Sequence, residues 1–115
     1  MELDCIFCRI VAREIPCDSV YETEDILAFN DITPKAPVHI ILIPKRHIQT
    51  VIDFKPEDDA VVLSLMKAIK HIAHVKNLPQ NGFRVVTNAG QDGGQTVHHV
   101  HFHILAGRSL SWPPG

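Results

Sequence analysis

Four imidazoles fall within six residues of His98-His99-Val100-His101-Phe102-His103. Near neutral pH this side chain can act as a nucleophile, a proton carrier or a metal ligand. Along a β-strand successive side chains alternate faces, so His99, His101 and His103 share one side while Val100, Phe102 and Ile104 take the other. With the apolar side docked on a core, the imidazoles form a row spaced about 6 to 7 Å, two strand rises apart, and Leu105 continues their face. Such a row suits an anion or a metal ion, and a half-exposed polar strand face is the plain alternative. The interleaved apolar residues exclude an affinity tag. The preceding loop, Asn88-Ala89-Gly90-Gln91-Asp92-Gly93-Gly94-Gln95-Thr96, favours the anion. Its glycines let backbone N–H groups converge, and Asn88, Gln95 and Thr96 add donors, which is how a chain cradles phosphate oxygens.

Three cysteines, Cys5, Cys8 and Cys17, make an odd number that does not read as a disulfide framework. Reduced thiols or a metal site fit better. The chain of 115 residues has a net charge of -2 and carries no Lys/Arg cluster, so the electrostatic attraction behind general nucleic-acid binding is missing. No apolar run is long enough for a membrane span and no charged-then-apolar leader opens the sequence. The expected protein is one domain over residues 1–115, cytoplasmic, with no nucleic-acid polymer and no membrane as partner.

The elements that must position the histidines follow from pattern. Ile6, Phe7 and Ile10 suit a short amphipathic helix over Cys5 to Ala12. Ser19 to Thr23, Ile26 to Asn30 and Val38 to Ile43 are β-prone runs divided by Glu24-Asp25 and by Thr33-Pro34-Lys35-Ala36-Pro37, which predicts an antiparallel meander. Pro56 with Glu57, Asp58 and Asp59 opens a long helix reaching about Lys76. Val62, Leu65, Met66, Ile69, Ile72 and Ala73 give it one buried stripe. Gly82 to Thr87 and Val100 to Leu105 supply two more strands. The fold class is α+β: about five antiparallel strands with one long and one short helix.

At this level the sequence resembles a known family. Gly94-Gln95-Thr96-Val97-His98-His99-Val100-His101-Phe102-His103-Ile104-Leu105 is similar to the histidine-triad (HIT) signature, in which three histidines alternate with apolar residues. Asp31 to His39 and Ile43-Pro44-Lys45 resemble the upstream segment of that family, and Ser111-Trp112-Pro113-Pro114-Gly115 resembles the C-terminus of its nucleotide-binding branch. His98 departs from the pattern, which usually has an aromatic residue there; it is expected to face away from the triad.

The resemblance implies a HIT-like fold and hydrolysis of purine nucleoside phosphoramidates, AMP or GMP joined to an amine, through a covalent nucleotidyl-histidine intermediate. His101 would attack the phosphorus. His103 would contact the phosphate and help protonate the departing amine, while His99 and His39 complete the imidazole network. Splitting a displacement into two steps suits an imidazole nucleophile. Asn88, Gly94, Gln95 and Thr96 would hold phosphate oxygens, Asp31 the ribose hydroxyls, and Ile6, Phe7, Ile10, Phe29 and Ile32 the base. Each of these apolar residues is equally compatible with an ordinary core position. Some members of the family hold zinc with a C-x-x-C pair and two histidines, here Cys5, Cys8, His47 and His99; the alternative is two buried thiols on a helix face. One structural zinc ion is thus an open expectation, and the chemistry needs no cofactor. The family pattern also implies a homodimer. Two other activities compete: a zinc- or nucleotide-binding protein without turnover, and dinucleoside polyphosphate hydrolysis. Trp112-Pro113-Pro114-Gly115 argues against the latter.

Overall fold

The computed structural model describes residues 4–115. Its centre is a five-stranded antiparallel sheet in the order β1-β2-β3-β5-β4. The strands are β1 (Ser19–Glu22), β2 (Ile26–Asn30), β3 (Val38–Pro44), β4 (Arg84–Thr87) and β5 (Phe102–Ala106). The expected meander of the first three strands is present, with Leu27 opposite Ile43 and Phe29 opposite Ile41. Helix α1 (Ile6–Val11) and helix α2 (Asp59–Val75) complete the fold.

The two helices lie on opposite faces of the sheet because each strand alternates two sets of apolar residues. One set, including Ile26, Ala28, Ile40, Leu42, Val100, Phe102 and Ile104, packs on Leu65, Ala68, Ile72 and Ala73 of α2. The other set, Leu27, Phe29, Ile41 and Ile43, packs on Cys5, Phe7, Cys8 and Ile10 at the N-terminal helix. Each large apolar side chain removed from water in this way contributes about 1.5–3 kcal/mol. Two apolar faces also explain why β2 and β3 read as nearly continuous hydrophobic runs.

Several expected boundaries shift. The long helix begins with a 3-10 turn over Pro56–Asp58 before α2 starts. Its buried stripe is Leu65, Ala68, Ile72 and Ala73, whereas Met66 is 46% exposed; the small Ala68 lets the helix approach the sheet where a periodicity count favours larger residues. In α1, Phe7, Cys8 and Ile10 point inward and Ile6 is 46% exposed. Strand β4 starts at Arg84 rather than Gly82, whose φ of +90° is a turn conformation suited to glycine.

The largest difference concerns the histidines. Strand β5 begins at Phe102, so only His103 of the triad lies within it and His99 and His101 occupy the extended segment before it. Alternation nevertheless persists, since Val100, Phe102 and Ile104 join the α2-side core. The histidine face is not a half-exposed surface. His99 and His101 are buried, roofed by Phe7 of α1, whose ring meets both imidazoles edge-on at centroid distances of 5.8 and 5.1 Å.

Candidate functional site: a buried line of imidazoles between a thiol cage and a carboxylate

Strand pairing brings the fourth histidine to the triad. His39 on β3 lies opposite Leu105, one step diagonally from His103, which faces Ile41. The ring centroids of His101 and His103 are 5.1 Å apart, and those of His39 and His103 5.0 Å. His39, His103 and His101 therefore stand ring against ring, His99 joins them through its carbonyl, which meets His101 Nδ1, and His47 lies beside His99 at 5.0 Å.

Hydrogen bonds to the backbone fix which ring nitrogen of each histidine carries the proton. The Nδ1 of His101 is 2.8 Å from the carbonyl oxygen of His99. A carbonyl only accepts, so Nδ1 holds the proton and Nε2 keeps its lone pair. The Nδ1 of His39 accepts the backbone N–H of Lys35 at 3.0 Å. A neutral His39 must then carry its proton on Nε2, which lies 2.8 Å from Nδ1 of His103. His103 accepts there and presents an Nε2–H of its own. The line thus offers a bare nitrogen at His101 and a donor at His103, side by side.

Burial disfavours the charged forms of His103 and His39. Desolvation pushes His103 down to about 4, with the neighbouring His101 and His39 acting in the same direction and Asp31 opposing. His39 is lowered by the same cause, again against the pull of Asp31. Its Nε2 is 3.4 Å from Oδ2 of Asp31. Asp31 is itself fixed, because Oδ1 accepts the Thr33 N–H at 2.8 Å.

At the other end of the line, donor atoms of Cys5, Cys8, His47 and His99 all lie within 4.8 Å of one another. Sγ of Cys5 is 3.3 Å from Nδ1 of His99, and Sγ of Cys8 is 3.3 Å from Nδ1 of His47 and 3.6 Å from Nδ1 of His99. Zinc at its usual distances from sulfur and nitrogen spaces tetrahedral S and N donors about 3.5 Å apart. The residues fit the ion. The tautomer agrees, since His99 Nε2 lies 2.8 Å from the Pro44 carbonyl and must donate to it. That leaves Nδ1 as the free lone pair, the outer hydrogen bond expected of a metal-ligating imidazole. Burial also lowers His99 to about 4. Asp31, His39 and His103 form a second compact group, yet the Lys35 N–H commits His39 Nε2 to donating, so that group is set for proton sharing rather than metal ligation.

The glycine-rich loop is built largely from internal bonds. The side-chain nitrogen of buried Gln95 donates to the carbonyls of Gln49 at 2.8 Å and Val97 at 3.0 Å, while its Oε1 accepts the Gly90 N–H at 2.9 Å. Asn88 donates to the Gly93 carbonyl at 2.6 Å. The N–H groups of Gly94 and Gln95 return to Gln91 and Gly90. Gln95 is therefore a clasp that shapes the loop, and Thr96 is the exposed residue at its exit. A Cβ on Gly93 would stand 2.5 Å from the Ala89 carbonyl oxygen, so this close turn requires glycine.

Of the residues expected to sandwich a base, Phe7, Ile10 and Phe29 are buried in the α1 layer, with Phe7 and Phe29 edge-to-face at 5.8 Å. Ile6 and Ile32 are exposed, Ile32 at 98%. Sequence inspection missed Lys35 N–H, the Pro44 carbonyl and the His99 carbonyl, which assign the tautomers; backbone groups leave no mark in residue type.

Comparison with known proteins agrees with this geometry. The family model described as HIT domain matches residues 12–110. The chain belongs to the HIT family. An uncharacterized HIT-like protein of Synechococcus elongatus is 49% identical over 115 residues, covering 100% of both chains, and one of Synechocystis is 46% identical over the same span. Among solved structures, a HIT family hydrolase from Legionella pneumophila is similar at a TM-score of 0.93 and 43% identity, covering 97% of this chain and 100% of that one. A histidine triad protein from Clostridium difficile gives 0.91 at 47% identity, with 96% of each chain covered. A histidine triad nucleotide-binding protein from Candida albicans gives 0.83 at 32% identity, covering 96% of this chain and 83% of that one.

Proposed function

We propose that this HIT protein hydrolyses purine nucleoside phosphoramidates, transferring the nucleotide first to His101 and then to water. The observation that carries this reading is the pair of complementary tautomers, a bare Nε2 on His101 next to an Nε2–H on His103. The similarity to a Legionella HIT family hydrolase and to a Candida nucleotide-binding protein supports it.

In the first step the lone pair of His101 Nε2 forms a bond to phosphorus and the phosphorus–nitrogen bond breaks. Positive charge builds on the imidazole, and its Nδ1–H already donates to the His99 carbonyl, which stabilises that charge. The electron pair of the broken bond stays on the leaving nitrogen, which takes up one proton from solvent and departs as an amine. His103 is neutral and donor-only at Nε2, so its part is a hydrogen bond to the phosphate or leaving group rather than delivery of a full proton. In the second step water attacks phosphorus and gives a proton to solvent, the His101–phosphorus bond breaks with its electron pair returning to Nε2, and the nucleoside monophosphate is released. Using one nucleophile for both halves is ordinary covalent catalysis.

Asp31, held by the Thr33 N–H, would accept hydrogen bonds from the ribose hydroxyls, and exposed Ile6 and Ile32 would border the base. Cys5, Cys8, His47 and His99 would hold one zinc ion, whose chemistry there is structural: it ties α1 to the segment carrying the triad. Pairing across a two-fold axis would use β4, which among the described residues has β5 as its one neighbour and carries half-exposed Val85, with half-exposed Phe83 just before it. Arg84 pins the C-terminal segment at that same edge by donating to the carbonyls of Leu110 and Ser111. Trp112 there is 84% exposed, placed to reach a partner subunit. No helix among the described residues is long and apolar enough to cross a membrane.

The test is AMP release from adenosine 5′-phosphoramidate by the parent and by His101→Ala. Release by the parent alone supports the proposal. Bound AMP without release points to a binding protein, and equal release by both proteins removes His101 from the chemistry.

A further inference from the structure

The carboxylate of Asp31 faces two ways. It lies where a ribose would be recognised, and its Oδ2 stands 3.4 Å from Nε2 of His39, the same nitrogen that contacts His103 at 2.8 Å. We infer that Asp31 is a positioning residue for His103, acting through the tautomer of His39, in addition to any contact it makes with ribose.

The argument rests on how tightly the geometry surrounds the His39 ring. Its Nδ1 accepts the Lys35 N–H at 3.0 Å, and its Nε2 faces the Asp31 carboxylate, which only accepts, together with Nδ1 of His103, whose role follows from the His39 tautomer. A donor on one side and a carboxylate on the other select the Nε2–H tautomer twice over. The carboxylate cannot drift away. Asp31 N–H donates to the His39 carbonyl at 2.9 Å and Thr33 N–H donates to Oδ1 at 2.8 Å. The Lys35 end is braced as well, because the Arg108 guanidinium donates to the Lys35 carbonyl at 3.2 and 2.9 Å. His39 and His103 are both largely withdrawn from water, where a fixed charge acts more strongly than in solvent.

The consequence runs along the line of rings. With the proton held on His39 Nε2, His103 must accept at Nδ1 and present Nε2–H toward the phosphate. Without the carboxylate, only the Lys35 N–H opposes the other His39 tautomer. That alternative would turn His39 Nε2 into an acceptor, draw the His103 proton to Nδ1 and remove the donor from the phosphate side.

This inference rests on the phosphoramidase reading for its kinetic form, and two measurements separate the two. The first compares adenosine 5′-phosphoramidate with its 2′,3′-dideoxy analogue on the parent, Asp31→Asn, His39→Gln and the double variant. The dideoxy substrate offers Asp31 no hydroxyls. A carboxylate that only binds ribose leaves kcat for this substrate unchanged in Asp31→Asn, which overturns the inference. The inference predicts that kcat falls by roughly tenfold, a part of the ~10²- to 10³-fold that one hydrogen-bond donor to a developing oxyanion supplies. In the His39→Gln background Asp31→Asn should add nothing, because the intermediary is gone.

The second measurement needs no turnover. Nitrogen-15 imidazole spectra of the free protein should show His39 and His103 protonated on Nε2 in the parent, and both moving toward mixed tautomers in Asp31→Asn. Unchanged spectra refute the inference even if the kinetics are affected. Failure of the parent to release the nucleoside monophosphate, AMP or its dideoxy counterpart, from either substrate refutes the function instead, and the spectra still decide the role of Asp31.

Discussion

Replacing Gln95 distinguishes a loop clasp from a phosphate donor. Its side chain makes three hydrogen bonds, to Gln49, Val97 and Gly90. At about 1 kcal/mol net for each bond, Gln95→Ala should cost about 3 kcal/mol. Gly90 and Gln49 are exposed, so water reaches the groups left behind and the expected loss is nearer 2 kcal/mol. With a denaturant slope of about 1–1.5 kcal/mol per molar urea for a small chain, the unfolding midpoint should drop by about 1–2 M. Gln95→Glu sharpens the test because it preserves shape. A carboxylate still accepts the Gly90 N–H but faces two carbonyls it cannot donate to, so this variant should be at least as destabilised as alanine. Equilibrium urea unfolding followed by tryptophan fluorescence and by circular dichroism reads both. If either variant unfolds within about 0.3 M of the parent while activity collapses, the loop is not held by this clasp and Gln95 acts on the ligand.

Three further outcomes are expected. Gly93→Ala brings a Cβ against backbone atoms of Ala89, which cannot move aside as a side chain can; the loop should distort at a cost of about 1–3 kcal/mol, read by the same unfolding curves together with a fall in kcat/KM. Cobalt(II) added to metal-free protein should give thiolate charge-transfer absorption from Cys5 and Cys8, lost in Cys8→Ser and weakened in His47→Ala, and chelation should lower Tm; absence of the band with intact thiols contradicts the cage. Stability should fall on acidification between about pH 6.5 and 4. His103 is held near 4 in the fold, so across that window the unfolded chain binds more protons than the native one and stability rises with pH. His103→Asn should reduce this slope, with His99, also held near 4, supplying part of what remains; a slope identical to that of the parent would show that His103 does not contribute.

Much of this arrangement was legible in the chain. The period-2 alternation from His99 to Ile104 assigned opposite faces correctly even though the strand itself starts only at Phe102, because the face depends on extended backbone and not on ladder hydrogen bonds. Strand β2 has the bounds expected of it, Ile26 to Asn30, because Glu24-Asp25 and the Thr33-Pro34-Lys35-Ala36-Pro37 turn set it off from its neighbours. Burial of the histidine face was not legible, because the element that covers it, α1, lies some ninety residues away in sequence. Pattern also favoured Met66 over Ala68 on α2, as hydrophobic size outweighs close approach in such counts. The internal bonds of Asn88 and Gln95 were not legible for a different reason: an amide beside glycines looks the same whether it serves a ligand or the loop's own carbonyls.

The most direct test of the central claim is to stop the reaction of the parent with adenosine 5′-phosphoramidate on the millisecond scale and map nucleotide on the protein by mass spectrometry. A nucleotidyl group on Nε2 of His101, absent in His101→Ala, is the predicted result. Rapid AMP release with no nucleotide on His101 at any time, or with nucleotide on His103 instead, contradicts the account.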